Sequence, residues 1–118
     1  MPLRLVLVDD SEDFLSSAAQ LLESQGAEVV GVAKTSADAL RLAEALRPDV
    51  ALVDIELAEE DGIKLAAEIA SIAPCTKVVL TSSYRRDDLS DLVTDSPAIG
   101  FVPKPMLSAL AIDSLSGR

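Results

Sequence analysis

Apolar residues follow two alternating patterns along the chain. Short continuous runs rich in Val, Leu and Ile predict buried strands. Between them, apolar residues recur every three or four positions and predict amphipathic helices. Leu3–Val8 is the first such run. A helix is expected from Ser11 to Ser24, with Phe14, Ala18, Leu21 and Leu22 on its apolar face and Gly26 as its stop. Glu28–Ala33 is the second strand. Thr35 or Ser36 caps a second helix carrying Ala39, Leu40, Ala43 and Leu46, which Pro48 ends. Asp49–Asp54 (DVALVD) is the third strand, and Gly62 to Ala73 the third helix, before Pro74. Thr76–Thr81 (TKVVLT) is the fourth strand. Asp87 to Thr94 predicts a short helix with few apolar residues. Ile99–Pro103 is the fifth strand, and a last helix covers about Pro105–Leu115. Strands and helices alternating at these lengths imply βαβ units, hence a doubly wound α/β sandwich of three layers around a parallel sheet. No repeat or interdomain linker interrupts residues 1–118, so one domain is expected, with about 115–118 as a frayed end or the start of a linker.

The ends of these strands carry the polar residues. The first strand ends on Asp9 and Asp10, the third on Asp54, the fourth on Thr81, and the fifth is followed by Lys104. The second ends without a comparable group. Ligands of open parallel sheets bind beyond the carboxyl ends of the strands, where strand order reverses. Order 2-1-3-4-5 would gather the four polar ends and leave the second strand at the edge.

Composition narrows the chemistry. Hydrophobic residues make up 49% of the chain and aromatics only 3%, so the core is aliphatic. A net charge of −10 repels nucleic-acid phosphates and favours cations and basic partners. No apolar run approaches the roughly 20 residues of a membrane span. One cysteine, Cys75, excludes an internal disulfide and suggests a cytoplasmic protein. With no histidine, neither a His-containing zinc site nor a Ser-His-Asp or Cys-His catalyst can be built.

Three carboxylates at one mouth would raise each other's pKa unless a cation neutralised them. Oxygen-only ligands suit Mg²⁺, which also coordinates phosphate oxygens. A lysine and a threonine hydroxyl opposite suit a phosphoryl group. A carboxylate in such surroundings can attack phosphorus and form an aspartyl phosphate, and Asp54 is best placed for it. Asp9 and Asp10 would hold the metal. Each residue alone has a plainer explanation: the acidic pair could cap a helix, Thr81 suits a strand and Lys104 a surface.

Taken together, the DD pair, LVDIELAEEDG, VVLTS and GFVPKP, in this order and each at a strand end, resemble the receiver domain of two-component response regulators over Leu3 to about Leu115. The resemblance implies a (βα)5 flavodoxin-like fold. It implies that Asp54 takes phosphate from a phosphohistidine of a sensor histidine kinase or phosphotransfer protein. Asp10, Asp54 and the backbone carbonyl of Glu56 would ligate Mg²⁺, with Asp9 acting through water. Thr81 and Lys104 would contact phosphoryl oxygens, and Phe101 would be the switch aromatic. A cis Lys104–Pro105 bond is expected on the same ground. Phosphorylation would alter the surface around Arg85–Leu92, Ile99–Pro103 and Met106–Ala111, and so an effector domain or downstream protein. The chain itself would be a phospho-acceptor rather than an enzyme, monomeric or weakly dimeric when phosphorylated. It departs from the family pattern at Ala58, Ser82 and Phe101, often proline, Ala or Gly, and tyrosine. Glu56 and Ser83 stand where they would influence phosphate lifetime. An alternative reading is a pseudo-receiver, an interaction module that is never phosphorylated. An aspartate-nucleophile phosphatase needs an acid where Ser11 stands, and a flavodoxin-type phosphate loop is the electrostatic opposite of DDSED.

Overall fold

In the computed structural model, which describes residues 2–57, 60–83 and 96–116, strand pleating decides where each layer of the core lies. The strands are β1 (Arg4–Val8), β2 (Glu28–Ala33), β3 (Val50–Asp54), β6 (Lys77–Ser82) and β7 (Gly100–Pro103). They form one sheet of order β2-β1-β3-β6-β7, and every neighbouring pair is parallel. This is the expected 2-1-3-4-5 order. Side chains alternate between the two faces. Leu5, Leu7, Val50, Leu52, Val79 and Val102 pack on one side with Leu15, Ala18 and Leu22 of helix α1 (Glu12–Ser24) and Ile112 of the C-terminal helix α4 (Ala109–Ser116). Val6, Val8, Ala51, Val53, Val78 and Leu80 pack on the other with Ala39 and Ala43 of α2 (Ser36–Leu46) and Leu65, Ala66 and Ile69 of α3 (Gly62–Ile72). Burial on both faces explains why the strands read as continuous apolar runs.

Capping fixes the helix starts. Ser11 Oγ accepts the Phe14 amide at 3.2 Å, Thr35 Oγ1 the Asp38 amide at 3.2 Å, and Asp61 Oδ1 the Ile63 amide at 2.9 Å. Gly26, at φ 94°, follows α1 in a conformation that glycine adopts without steric cost. Among the described residues no helix is long and apolar enough to cross a membrane.

Four features differ from the sequence expectation. Leu15, rather than Leu21, fills the buried face of α1, and Leu21 is 40% exposed. A two-stranded antiparallel hairpin, β4 (Glu56–Leu57) with β5 (Glu60–Asp61), stands between β3 and α3. Gly62, expected only as the start of α3, also supplies space, because a Cβ there would lie 2.0 Å from the Asp54 carbonyl oxygen. Finally, the last helix does not start at Pro105. A 3-10 turn covers Lys104–Met106, and α4 begins at Ala109, where Ser108 Oγ accepts the Ala111 amide at 3.0 Å and Gln25 Oε1 the Ala109 amide at 2.7 Å. The helix expected over Asp87–Thr94, and residues 117–118 of the expected tail, lie outside the described residues.

Candidate functional site

The same alternation that builds the core builds the site. Val8 pairs with Val53, and Asp54 with Thr81, across parallel strands. Asp54 has the parity of Val50 and Leu52, Thr81 that of Val79, and Lys104 that of Val102. Carried one step past β1, the parity of Leu5 and Leu7 falls on Asp9. All four residues therefore emerge at the carboxyl end of the sheet on the side covered by α1. Asp9 and Asp54 are buried and Asp10 is exposed, and one carboxylate oxygen from each lies within 4.8 Å of the other two. Lys104 Nζ sits 2.7 Å from Asp9 Oδ2 and 3.3 Å from Asp54 Oδ2.

Each carboxylate is oriented by a backbone amide two residues on. Ser11 N–H donates to Asp9 Oδ1 at 2.9 Å, and Glu56 N–H to Asp54 Oδ1 at 3.0 Å. That leaves both Oδ2 atoms to Lys104. The contact with Asp54 is a hydrogen bond, whereas Asp9 Oδ2 is buried beside the ammonium without hydrogen-bond geometry. The 2.7 Å ion pair with Lys104 offsets part of the cost of burying that oxygen, and a second cation at the mouth would offset more of it. The donor set is all oxygen, which suits a hard divalent cation.

Burial first, and then the charge of Asp9, pushes Asp54 up from the usual 3.8 to about 6, against the Glu56 amide and Lys104, which favour its ionised form. For Lys104, burial works against the charged form. Its contacts with Asp9 and Asp54 outweigh that and raise its pKa above the ordinary lysine value. One ammonium thus serves two buried carboxylates, with a third acid at the rim.

The other expected site residues are placed as follows. Thr81 is fully buried, but its hydroxyl donates to the Val102 carbonyl at 2.6 Å and does not join the carboxylate cluster. Phe101 is 7% exposed and packs in the α2/α3 layer of the core, with Leu80 as its register partner. Glu56 opens β4 with its side chain exposed. Ser82 is buried and Ser83 exposed. The Lys104–Pro105 bond is trans, not cis; Pro105 sits in the 3-10 turn, and contact with the two aspartates is what directs the lysine inward. Ala58 and Arg85–Leu92 lie outside the described residues. One residue has a place that the sequence reading missed. The Phe14 ring, expected only as helix packing, covers Lys104 Nζ at 4.3 Å from its centroid. The available signal was an aromatic on the first turn of the helix that follows the acidic pair, in a chain with few aromatics.

A family model described as the response regulator receiver domain matches residues 5–115. The transcriptional regulatory protein PdtaR of Mycobacterium tuberculosis (strain ATCC 25618 / H37Rv) is 33% identical over 107 residues, which are 89% of this chain and 51% of that protein. A protein-glutamate methylesterase/protein-glutamine glutaminase of Alkalilimnicola ehrlichii is 39% identical over 107 residues, 88% of this chain and 27% of that protein. The chain thus spans about half of one relative and about a quarter of the other. Among solved structures, the signal receiver domain of the putative response regulator NarL from Mycobacterium tuberculosis superposes with a TM-score of 0.85 at 31% identity, covering 99% of this chain and 98% of that one.

Proposed function

The chain belongs to the response regulator receiver domain family of two-component signalling, and on that premise we propose that it receives a phosphoryl group on Asp54 from a phosphohistidine of a sensor kinase or phosphotransfer protein. The observation that carries this reading is a buried carboxylate at the carboxyl end of a central strand, with a lysine ammonium at 3.3 Å and two further carboxylates within 4.8 Å. Asp10, Asp54 and the Glu56 carbonyl would hold Mg²⁺ directly, with Asp9 supporting it from outside. Bound there, the ion would neutralise the acids and polarise a phosphoryl oxygen.

An Asp54 carboxylate oxygen attacks phosphorus, and the P–N bond to the donor imidazole breaks. The imidazole leaves with that electron pair and takes up a proton. Lys104 follows the negative charge from the Asp54 carboxylate to a phosphoryl oxygen, exchanging one charge-assisted hydrogen bond for another. Thr81 turns its hydroxyl from the Val102 carbonyl to a second phosphoryl oxygen. That exchange frees a strand carbonyl beside Phe101 and carries the signal to β7. Water later cleaves the acyl phosphate and restores Asp54, with exposed Glu56 and Ser83 flanking its approach. The chain's chemistry is therefore its own phosphorylation and dephosphorylation, and a cytoplasmic site of action fits it.

The surface that responds includes Ile99–Pro103 and Met106–Ala111, where Met106 and Leu110 are 69% and 75% exposed. Its reader is an effector domain or a separate protein. Incubation with acetyl phosphate and Mg²⁺, read by intact mass, is expected to add one phosphoryl group to the wild type and none to Asp54→Asn. No uptake by the wild type, or equal uptake by Asp54→Asn, would overturn the reading and leave a pseudo-receiver.

A further inference from the structure

We propose that Phe14 is a positioning residue for Lys104, holding the ammonium over the acidic site with the face of its ring; the inference deepens the phosphoryl-acceptor reading and rests on it. The Phe14 centroid lies 4.3 Å from Lys104 Nζ, inside the range of a cation–π contact. The lysine side chain is 18% exposed, so the contact is largely shielded from water. Shielding strengthens such a contact, because less hydration competes with the ring.

Four residues close a circuit around this contact. Asp9 Oδ1 accepts the Ser11 amide at 2.9 Å. Ser11 Oγ caps the Phe14 amide at 3.2 Å. The Phe14 ring meets Lys104, and Lys104 returns to Asp9 Oδ2 at 2.7 Å. The acid that leads into α1 thus sets the cap that aims the ring at the lysine. Core packing alone does not require an aromatic here. Phe14 is only half-buried, and it lines a cleft of about 340 Å³ with Ser17, Ala18, Leu21, Pro105 and Leu107, which an aliphatic side chain could also line.

The ring matters because the lysine's other anchors are temporary. Asp9 Oδ2 at 2.7 Å and Asp54 Oδ2 at 3.3 Å both belong to acids that the proposed reaction draws on. The ring is the one of these contacts that carries no charge of its own, so it holds the ammonium at the mouth whichever oxygen the lysine pairs with.

Phe14→Leu keeps the bulk and apolarity and removes the ring face; Phe14→Trp keeps a ring face. With acetyl phosphate and Mg²⁺, phosphorylation of Phe14→Leu is expected to slow about fivefold, about 1 kcal/mol in the barrier, and Phe14→Trp to stay within about twofold of the wild type. In the metal-free protein, the Lys104 ammonium signal of a ¹⁵N-lysine-labelled sample is expected upfield-shifted and protected from solvent exchange. Protection should persist in the tryptophan variant and be lost in the leucine variant. Should leucine disturb α1 by circular dichroism, Phe14→Met takes its place. A leucine variant with wild-type rate and protection overturns the proposal, and so does a tryptophan variant as slow as leucine. If the wild type takes up no phosphate, the acceptor reading fails, and ammonium protection alone decides whether the ring holds the lysine.

Discussion

Replacing Asp54 by asparagine is expected to stabilise the metal-free protein at neutral pH. Burial and the charge of Asp9 raise the Asp54 pKa from 3.8 to about 6. Below the unfolded-state pKa, the carboxyl is protonated in both the folded and the unfolded chain, and ionisation costs nothing. As pH rises, the unfolded chain gives up this proton first, and the folded protein must give it up near pH 6 in a site that disfavours the charge. The stability present in acid is therefore lost as pH rises through that value. About two pKa units correspond to an upper bound of ~3 kcal/mol above pH 7. Even buried sites respond with an effective dielectric well above that of dry protein, which reduces the expected penalty to about 1–2 kcal/mol. Asparagine removes the charge and keeps the shape, while Lys104 keeps Asp9 at 2.7 Å. Urea denaturation in EDTA at about pH 7.5 should show Asp54→Asn more stable by about 1–2 kcal/mol, with the advantage shrinking by about half near pH 5. Millimolar Mg²⁺ should narrow it too, because the ion stabilises the wild type more. Equal stability at neutral pH, or an advantage independent of pH, would refute the electrostatic account.

Gly62→Ala should be among the most damaging single-methyl changes, because its Cβ would lie 2.0 Å from the Asp54 carbonyl oxygen; a loss of about 1–3 kcal/mol or more by urea denaturation is expected, with slower phosphorylation as β3 shifts. Thr81→Val removes the 2.6 Å bond to the Val102 carbonyl and should cost about 1 kcal/mol of stability, and phosphorylation by acetyl phosphate should also slow. Asp10→Asn should weaken Mg²⁺ binding, seen as a smaller rise in Tm on adding the ion, because one of three carboxylates is neutralised. Phosphorylation should shift the amide resonances of Ile99–Pro103 and Met106–Ala111 in the wild type and leave those of Asp54→Asn unchanged.

The fold and most of the site were legible because strand ends are conspicuous in this sequence. An unbroken apolar run that stops on Asp9, Asp54, Thr81 or Lys104 marks both the strand and its mouth. Features set by three-dimensional phase were not legible. Leu15, Leu21 and Leu22 all suit an amphipathic helix, and only docking on β1 and β3 shows that Leu21 is the one left outward. Strands of two residues, such as Glu56–Leu57, have no periodicity to detect. The start of α4 depended on a serine cap and on Gln25, 84 residues earlier. The Thr81 hydroxyl direction and the Phe14–Lys104 contact are tertiary choices that neither residue announces alone.

The alternation of side chains along the strands ties the site to the register of the sheet. Asp9, Asp54, Thr81 and Lys104 each continue the odd or even series of their strand that faces α1. Successive side chains point to opposite faces, so a one-residue slip of β3 would turn Asp54 into the layer of Ala39, Leu65 and Ile69. Its carboxylate would then be buried among aliphatic side chains, away from Lys104. The Gly62 amide bonds the Ile55 carbonyl at 3.0 Å and presses against the Asp54 backbone, so the turn into α3 opposes such a slip from the acceptor's own end. The packing that fits each side chain of β3 to its own layer and the placement that gathers the charges are thus one constraint. A register error that expelled Asp54 from the site would also send Val50 and Leu52 into the layer of α2 and α3, and Ala51 and Val53 into that of α1, where the side-chain volumes do not match.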